Sequence, residues 1–465
     1  MTRLEPKTAL SAEPASAREP VHDGLPNPQR MLAFATLAMA TAMAVLDGAI
    51  VNVALPTVAR ELVIPNAESV WIINAFQLAV TVSLLPLSAL GDSYGYRRVY
   101  RPGLALFTLA SLACALAPTF PVLVLSRAVQ GLGAAGIMSV NIALVRFIYP
   151  SSRLGRGVSN IALVVAVCSA GSPTVAAAIL SVASWRWLFL INVPVGAAAL
   201  LMARRNLPQT PISKRTLDPF SVILNALTFG LLISGVNGVG EPKTETAAVV
   251  ELVAAAVLGA VFVRRQLRLA TPLLPVDLLR RPVFALSLAT SISSFAAQAL
   301  ALVALPFYFE DTLRRSETAT GLLMTPWPLA TALIAPIAGR LADRFIPGLL
   351  SSAGLLVMAT GLILVALEGG DASAGSLVCR LAVCGLGFGL FQSPNNRIII
   401  GSAPPERSGG ASGLQSSGRL IGQSFGAALM AVAFGRWPGH ATSLALWAAA
   451  GLSLAGAFAS GLRRA

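Results

Sequence analysis

Fourteen times along this chain of 465 residues an apolar run is closed by a short polar break, and each run is roughly 18 to 25 residues long, the span a tilted helix needs to cross a bilayer. The runs are 31–57, 71–91, 99–119, 121–146, 158–182, 185–204, 218–238, 245–263, 283–310, 319–341, 347–367, 375–401, 411–435 and 441–462. Lipid is therefore the solvent. Only 12% of residues are charged and 55% are hydrophobic, whereas soluble domains carry about 25% charge because each outward face must be hydrated. An ordinary soluble enzyme is excluded, and the expected fold is an all-α polytopic membrane protein with 14 transmembrane helices.

Orientation follows from the basic residues. Net charge is +14, and a soluble protein with that balance would suggest nucleic acid, but here the bases fall between apolar runs. The N-terminal tail, every second loop and the C-terminus hold 25 of the 34 Lys and Arg, and the other loops hold six. The positive-inside rule then places both termini in the cytoplasm. Arg127, Arg380 and Arg419 lie inside runs and need a separate explanation.

Residues 1–30, polar and rich in Pro, Ala and charge, read as a disordered cytoplasmic tail without a signal-peptide pattern. The run end SALGDSYGYRR (Ser88 to Arg98) is echoed by GRLADRF (Gly339 to Phe345) 251 residues later, as in transporters built from two repeated halves. The expected organisation is 6 + 2 + 6: a six-helix bundle at 31–205, a linker with two inserted helices at 206–282, and a second six-helix bundle at 283–462. Cys114, Cys168, Cys379 and Cys384 all lie in apolar runs, and His22 and His440 are isolated, so neither a disulfide framework nor a metal site is indicated. The three lysines follow Pro6, Ser213 and Pro242, so no P-loop is present and ATP does not drive this chain by itself.

Asp47, in LDGAIVNVALP (Leu46 to Pro56), is about sixteen residues into the first helix, roughly 24 Å from its cytoplasmic edge. An ionisable group at that depth is a functional-site hypothesis by default, with a helix-packing role as the structural alternative. Arg127 opens RAVQGLGAAG in the fourth helix, with Gln130 and Gly131 on the same face. A buried Arg keeps its proton and needs an acid, carbonyls or water. An Asp beside it is pulled down by the cation and up by burial, a balance that suits a proton switch, and a static ion pair is the alternative. The fifth helix carries AGSPTVAAA around Pro173, and the twelfth carries GLGFGLFQSPNNR, unusually polar for lipid. Asn52, Phe76, Gln130, Phe295, Trp327, Phe388, Phe391, Gln392 and Asn395 are the candidate cavity wall, the aromatics as flat surfaces for delocalised cations. Glu310 and Asp311 in YFEDTLRR are either a second anionic contact for a dication or a helix end paired with Arg314 and Arg315.

These strings resemble the major facilitator superfamily, and within it the fourteen-helix drug:proton antiporters. The resemblance rests on LDGAIVNVALP, WIINAFQL, LGDSYGYRR, RAVQGLGAAG, SPTVAA followed by SWRWLFLINVPVG, GRLADRF, and LFQSPNNR leading to GSAPPERSGGASG, and covers about 31 to 462. It is most similar to exporters of methyl viologen and quaternary ammonium compounds in Gram-negative inner membranes. The resemblance implies proton coupling through Asp47 and Arg127, a cytoplasmic gate of Asp92, Arg98, Asp343 and Arg344, and an antiporter motif at Pro173. Ser88 and Ser93 depart from the gate pattern, and Ser172, Ala176 and Ala177 from the antiporter pattern. The expected function is proton-coupled export of lipophilic cations from a bacterial cell by a monomer, with no cofactor, catalysis, metal or nucleic acid. Export of an endogenous or biosynthetic small molecule by the same mechanism is the alternative, and a non-transporting scaffold a third.

Overall fold

The computed structural model describes residues 24–210, 212, 218–239, 245–269, 272–368, 372–403 and 408–463. The expected tail lies outside the described residues up to residue 23. Its last stretch is ordered, because the backbone N–H of Leu25 donates to the carbonyl of Ile148 at 3.0 Å, and the first helix starts at Gln29.

In chain order the helices are α1 (Gln29–Glu61), α2 (Asn66–Ser69), α3 (Trp71–Tyr94), α4 (Tyr96–Ala115), α5 (Phe120–Ile148), α6 (Leu154–Leu180), α7 (Trp187–Leu190), α8 (Asn192–Asn206), α9 (Pro219–Gly238) and α10 (Glu245–Gln266). They continue as α11 (Pro282–Phe307), α12 (Glu317–Met324), α13 (Pro326–Leu341), α14 (Pro347–Ala366), α15 (Ala374–Gly401), α16 (Ser408–Arg436) and α17 (Ala441–Gly461). A π-helical turn, Tyr308–Thr312, extends α11. Among the described residues, twelve helical segments are long and apolar enough to cross a membrane. Two more long helices pack among them: α4, whose first turns carry Arg97, Arg98 and Arg101, and α16, whose first half is rich in Ser and Gly.

The packing repeats. In the first half α1 lies on α6 and α8, α4 on α5 and α8, and α3 on α5. In the second, α11 lies on α16 and α17, α14 on α15 and α17, and α13 on α15. Each pairing has its counterpart, and the two echoed sequence strings fall at the equivalent ends of α3 and α13. The halves meet where α1 faces α11, α3 faces α16, and α6 faces α12 and α13. Helices α9 and α10 pair with each other, and α9 lies across α3 and α16, with the Asn225 amide donating to the carbonyl of Val82 at 2.9 Å. Arg265 clamps this pair through Asp218 (2.8 and 3.0 Å), holding the Asp218 carboxyl down at about 2.

Glycine makes the equivalent crossings possible. A Cβ at Gly133 of α5 would fall 2.4 Å from the Phe107 nitrogen of α4, and one at Gly387 of α15 would fall 2.3 Å from the Met358 nitrogen of α14. Lipid tails are as apolar as the helices, so close van der Waals contact rather than hydrophobic collapse holds these pairs. Gly387→Ala is therefore expected to lower the thermal midpoint in detergent, by an amount corresponding to about 1–3 kcal/mol of overpacking. Gly375→Ala, in the same helix with nothing within 4 Å, should leave it unchanged; equal midpoints for the two variants would contradict the close-packing account.

Candidate functional site

Asp47 lies mid-way along α1 with its carboxylate turned into the first half, and it is saturated with donors. Nη1 of Arg127 reaches Oδ2 at 2.5 Å, while Nε2 of Gln130 and Nδ2 of Asn192 reach Oδ1 at 2.8 and 2.7 Å. Four helices thus converge on the carboxylate and its donors: α1, α5, α8 and, through the carbonyl of Ile72 that accepts from Arg127 Nε at 3.1 Å, α3. Gln130 also donates to Ser111 Oγ at 2.8 Å, and its Oε1 accepts from Arg127 at 2.5 Å. The guanidinium is flanked by the Phe76 ring (4.2 Å) and the Phe189 ring (5.5 Å). The Arg127 and Asp47 side chains are 1% and 0% exposed. Each charge is neutralised by the other, so the cost of desolvating either alone, several kcal/mol, is offset in this arrangement only while both stay in place.

A cavity of about 250 Å³ lies between the halves, walled by α1, α3, α6, α11, α13 and α16, with smaller contributions from α5 and α12. Of the candidate cavity residues Asn52, Phe76 and Trp327 line it, and so does Pro173 of the α6 string. Asp47 does not. It shares α1 with Gly48, Ala49 and Asn52, but faces away from the cavity, and Phe76 stands between: one side of its ring meets Arg127, while the residue also borders the cavity.

Other expected cavity residues are elsewhere. Phe295, Phe388 and Phe391 are buried and meet in tilted and edge-on pairs at 5.3 and 5.8 Å inside the second half, filling the junction of α11 and α15. Asn395 is turned the same way, donating to Ser291 Oγ at 2.8 Å and accepting from Arg463 at 2.6 Å. Gln392 is half-buried and outside the lining, and Gln130 belongs to the Asp47 network. The polar density of this α15 segment thus serves packing: Asn396 accepts from Gln415, and Arg463 is anchored by neutral oxygens, burial pushing it down to about 10.

The residues expected to form a gate are at helix ends. Asp92 accepts from the Tyr96 hydroxyl at 2.7 Å, and Arg98 is exposed beside Arg101 and Arg204. Asp343 pairs with Arg397 of α15, and Arg344 is exposed. Pro173 is buried in α6, where the helix meets α12 so closely that a Cβ at Gly321 would fall 2.7 Å from the Pro173 carbonyl oxygen. Thr174 and Thr325 hydrogen-bond across the same seam at 2.9 Å. The string around Pro173 is thus part of the joint between halves.

Glu310 and Asp311 find a cation other than the expected Arg314 and Arg315. Glu310 is bound by Arg60, from the far end of α1, at 2.6 Å, and Arg60 also lies 3.7 Å from Asp311 and 3.5 Å from Glu317. Arg315 donates instead to the carbonyl of Ala372 at 2.8 Å. The turn after Tyr308 directs Glu310 inward, so the group latches the two halves at the end opposite the termini. Residues that sequence reasoning missed are Asn192, Ser111, Arg60 as the latch cation, and the cavity residues Gln77, Gln298, Arg419 and Gln423. Asn192 lies in the SWRWLFLINVPVG string, and Arg419 was one of three intramembrane arginines, so both carried a signal.

Comparison with known proteins accords with this geometry. Residues 37–427, and again 286–463, match the Major Facilitator Superfamily. The chain is 53% identical over 443 residues to the Uncharacterized transporter YebQ of Escherichia coli (strain K12), covering 95% of this chain and 97% of that one. It is 30% identical over 414 residues to the Multidrug resistance protein Stp of Mycobacterium tuberculosis (strain CDC 1551 / Oshkosh), covering 88% and 77%. Among solved structures, the bacterial homologue of the human lysosomal transporter Spinster, inward-facing and occupied, superposes with a TM-score of 0.70 at 14% identity, over 94% of this chain and 97% of that one. A multi-span helical protein with a cavity between two repeated halves, matched along most of its length, is a transporter and not an enzyme: the chain belongs to the major facilitator superfamily.

Proposed function

We propose that this transporter is a proton-coupled antiporter exporting amphiphilic organic compounds across a bacterial inner membrane. The sealed Asp47–Arg127 pair behind the central cavity carries this reading. A carboxylate with no exposure cannot exchange its proton with water unless helices move, so its protonation state is tied to conformation. Protonating Asp47 would remove the counter-charge of Arg127 and release a guanidinium that rests on Phe76, a cavity residue. Cargo and proton thereby act on one side chain from opposite sides. The proposed topology is fourteen spans arranged 6 + 2 + 6, with α4 and α16 included and both termini cytoplasmic; the echoed packing of the two halves supports it. Alternation would then be rocking of the halves, with the Arg60 latch closing the extracytoplasmic side and the Asp92–Arg98 and Asp343–Arg344 helix ends gating the other. The naming of Stp for multidrug resistance supports drug-like cargo. A lipophilic cation, the class suggested by the sequence resemblance, finds flat walls in Phe76 and Trp327 but no carboxylate on the lining.

Asp47→Asn is expected to reach the membrane at wild-type level yet lose proton-driven efflux, measured in everted vesicles with an imposed proton gradient. Efflux at the wild-type rate with normal proton dependence would sink the coupling role. The latch gives a second outcome. With the four native cysteines replaced by serine, a cysteine at position 318 beside the latch should react several-fold faster with an impermeant maleimide when Arg60→Gln is added, since the buried Glu310 loses its partner. Unchanged labelling would show that Arg60 does not hold that side closed.

A further inference from the structure

Three arginines lie inside apolar runs, and two of them are neutralised. Arg127 pairs with Asp47, and Arg380 pairs with Glu368. Arg419 is the exception: among the described residues no carboxylate lies within ion-pair distance of it, and its Nε meets no acceptor in the protein. It lies eleven residues into α16, about 17 Å along the helix, too deep for a helix-end arginine that snorkels to the interface.

The helix is built to aim it. Gly418, Gly422 and Gly426 form the face against α11, where added Cβ atoms would fall 2.5, 2.5 and 2.2 Å from Leu288, Ile292 and Ala296. One residue further round, Arg419, Gln423 and Ala427 recur at i, i+4 and i+8 and line the cavity. The lining contains no Asp or Glu. It offers instead the amides of Gln77, Gln298 and Gln423, and the indole of Trp327, whose Nε1 also meets no acceptor. A guanidinium never loses its proton, presents its donors as a planar fork matched to carboxylates, and is costly to bury without a counter-charge. A cation entering this cavity would meet a like charge with no acid to offset it.

We propose that the cargo is an organic anion or zwitterion with a flat apolar body, whose carboxylate or comparable oxyanion is held by Arg419. This rests on the cavity being the cargo site of the antiporter proposed above and names the class of compound it takes. It also changes the charge balance. A monoanion leaving for one proton entering moves two positive equivalents inward per cycle, whereas a monocation leaving for one proton moves none.

The test uses three probes with one dansyl body: dansylglycine as the carboxylate, a dansyl amide with a trimethylammonium tail, and neutral dansylamide. Binding to the purified protein in detergent is read as energy transfer from tryptophan. Dansylglycine is expected to bind about tenfold or more tighter than the ammonium probe, the contrast a charge-assisted hydrogen bond supplies. Arg419→Gln should remove that advantage and leave dansylamide unchanged, and Arg419→Lys should recover part of it. Tighter binding of the ammonium probe, undiminished dansylglycine binding to Arg419→Gln, or equal loss for all three probes would overturn the proposal, the last assigning Arg419 to the helix scaffold. In proteoliposomes at equal pH, an inside-negative potential should accelerate dansylglycine export. Export that ignores both potential and proton gradient, with the binding contrast intact, would overturn the antiport reading and not this one.

Discussion

An acid and a guanidinium buried in an apolar helix bundle each cost several kcal/mol to desolvate, and each tolerates that burial only while the other is in reach. The Asp47–Arg127 contact imposes this condition on the first half of the molecule. It fixes the rotation of α1, so that the carboxylate points to α5 and α8 while Gly48, Ala49 and Asn52 on the neighbouring face reach the cavity. It also fixes Phe76, held against the guanidinium at 4.2 Å, as the partition between ion pair and cavity. A static register lock would need only the pair. The additional donors, Gln130 on the same helix as Arg127 and Asn192 from α8, make the carboxylate sensitive to how α5 and α8 stand.

The second half is built on the same packing plan without the same chemistry. The glycine crossings of α4 on α5 recur as α14 on α15, yet α11 and α15 meet through the aromatic packing of Phe295, Phe388 and Phe391 where α1 and α5 meet through an ion pair. Among the described residues, its half-buried Arg419 borders the cavity and its buried Arg463 leans on neutral groups. The halves are thus related in architecture and differ in their buried charge: the first holds a carboxylate paired with a guanidinium, and the second brings an arginine to the space between them. At the far end the Arg60 cluster joins them through a charge contact on the rim of the seam.

Much of this was legible in the sequence. Apolar run length gave the helices to within a few residues, because bilayer thickness constrains length directly. Depth of an ionisable residue gave Asp47 and Arg127, because few positions tolerate such a group. Facing was less legible. Polar density on α15 suggests Gln392 and Asn395 as cavity wall, and ring character suggests Phe388 and Phe391, but a glycine-lined helix can bury polar groups against a neighbour as readily as against water, and Asn395 is satisfied by Ser291 and Arg463. The partner of Glu310 was sought nearby in sequence at Arg314 and Arg315. It lies 250 positions away, since only the fold brings the ends of α1 and α11 together.

The central claim is that Asp47 is the group whose protonation changes as the protein works. Infrared difference titration of the purified protein in lipid reads this without any choice of cargo. Acidification should produce a protonated-carboxyl band that shifts in heavy water, and part of that band should be missing from Asp47→Asn while the rest of the spectrum is unchanged. Identical carboxyl difference spectra for wild type and Asp47→Asn would contradict a titrating Asp47 and return the ion pair to a purely structural role.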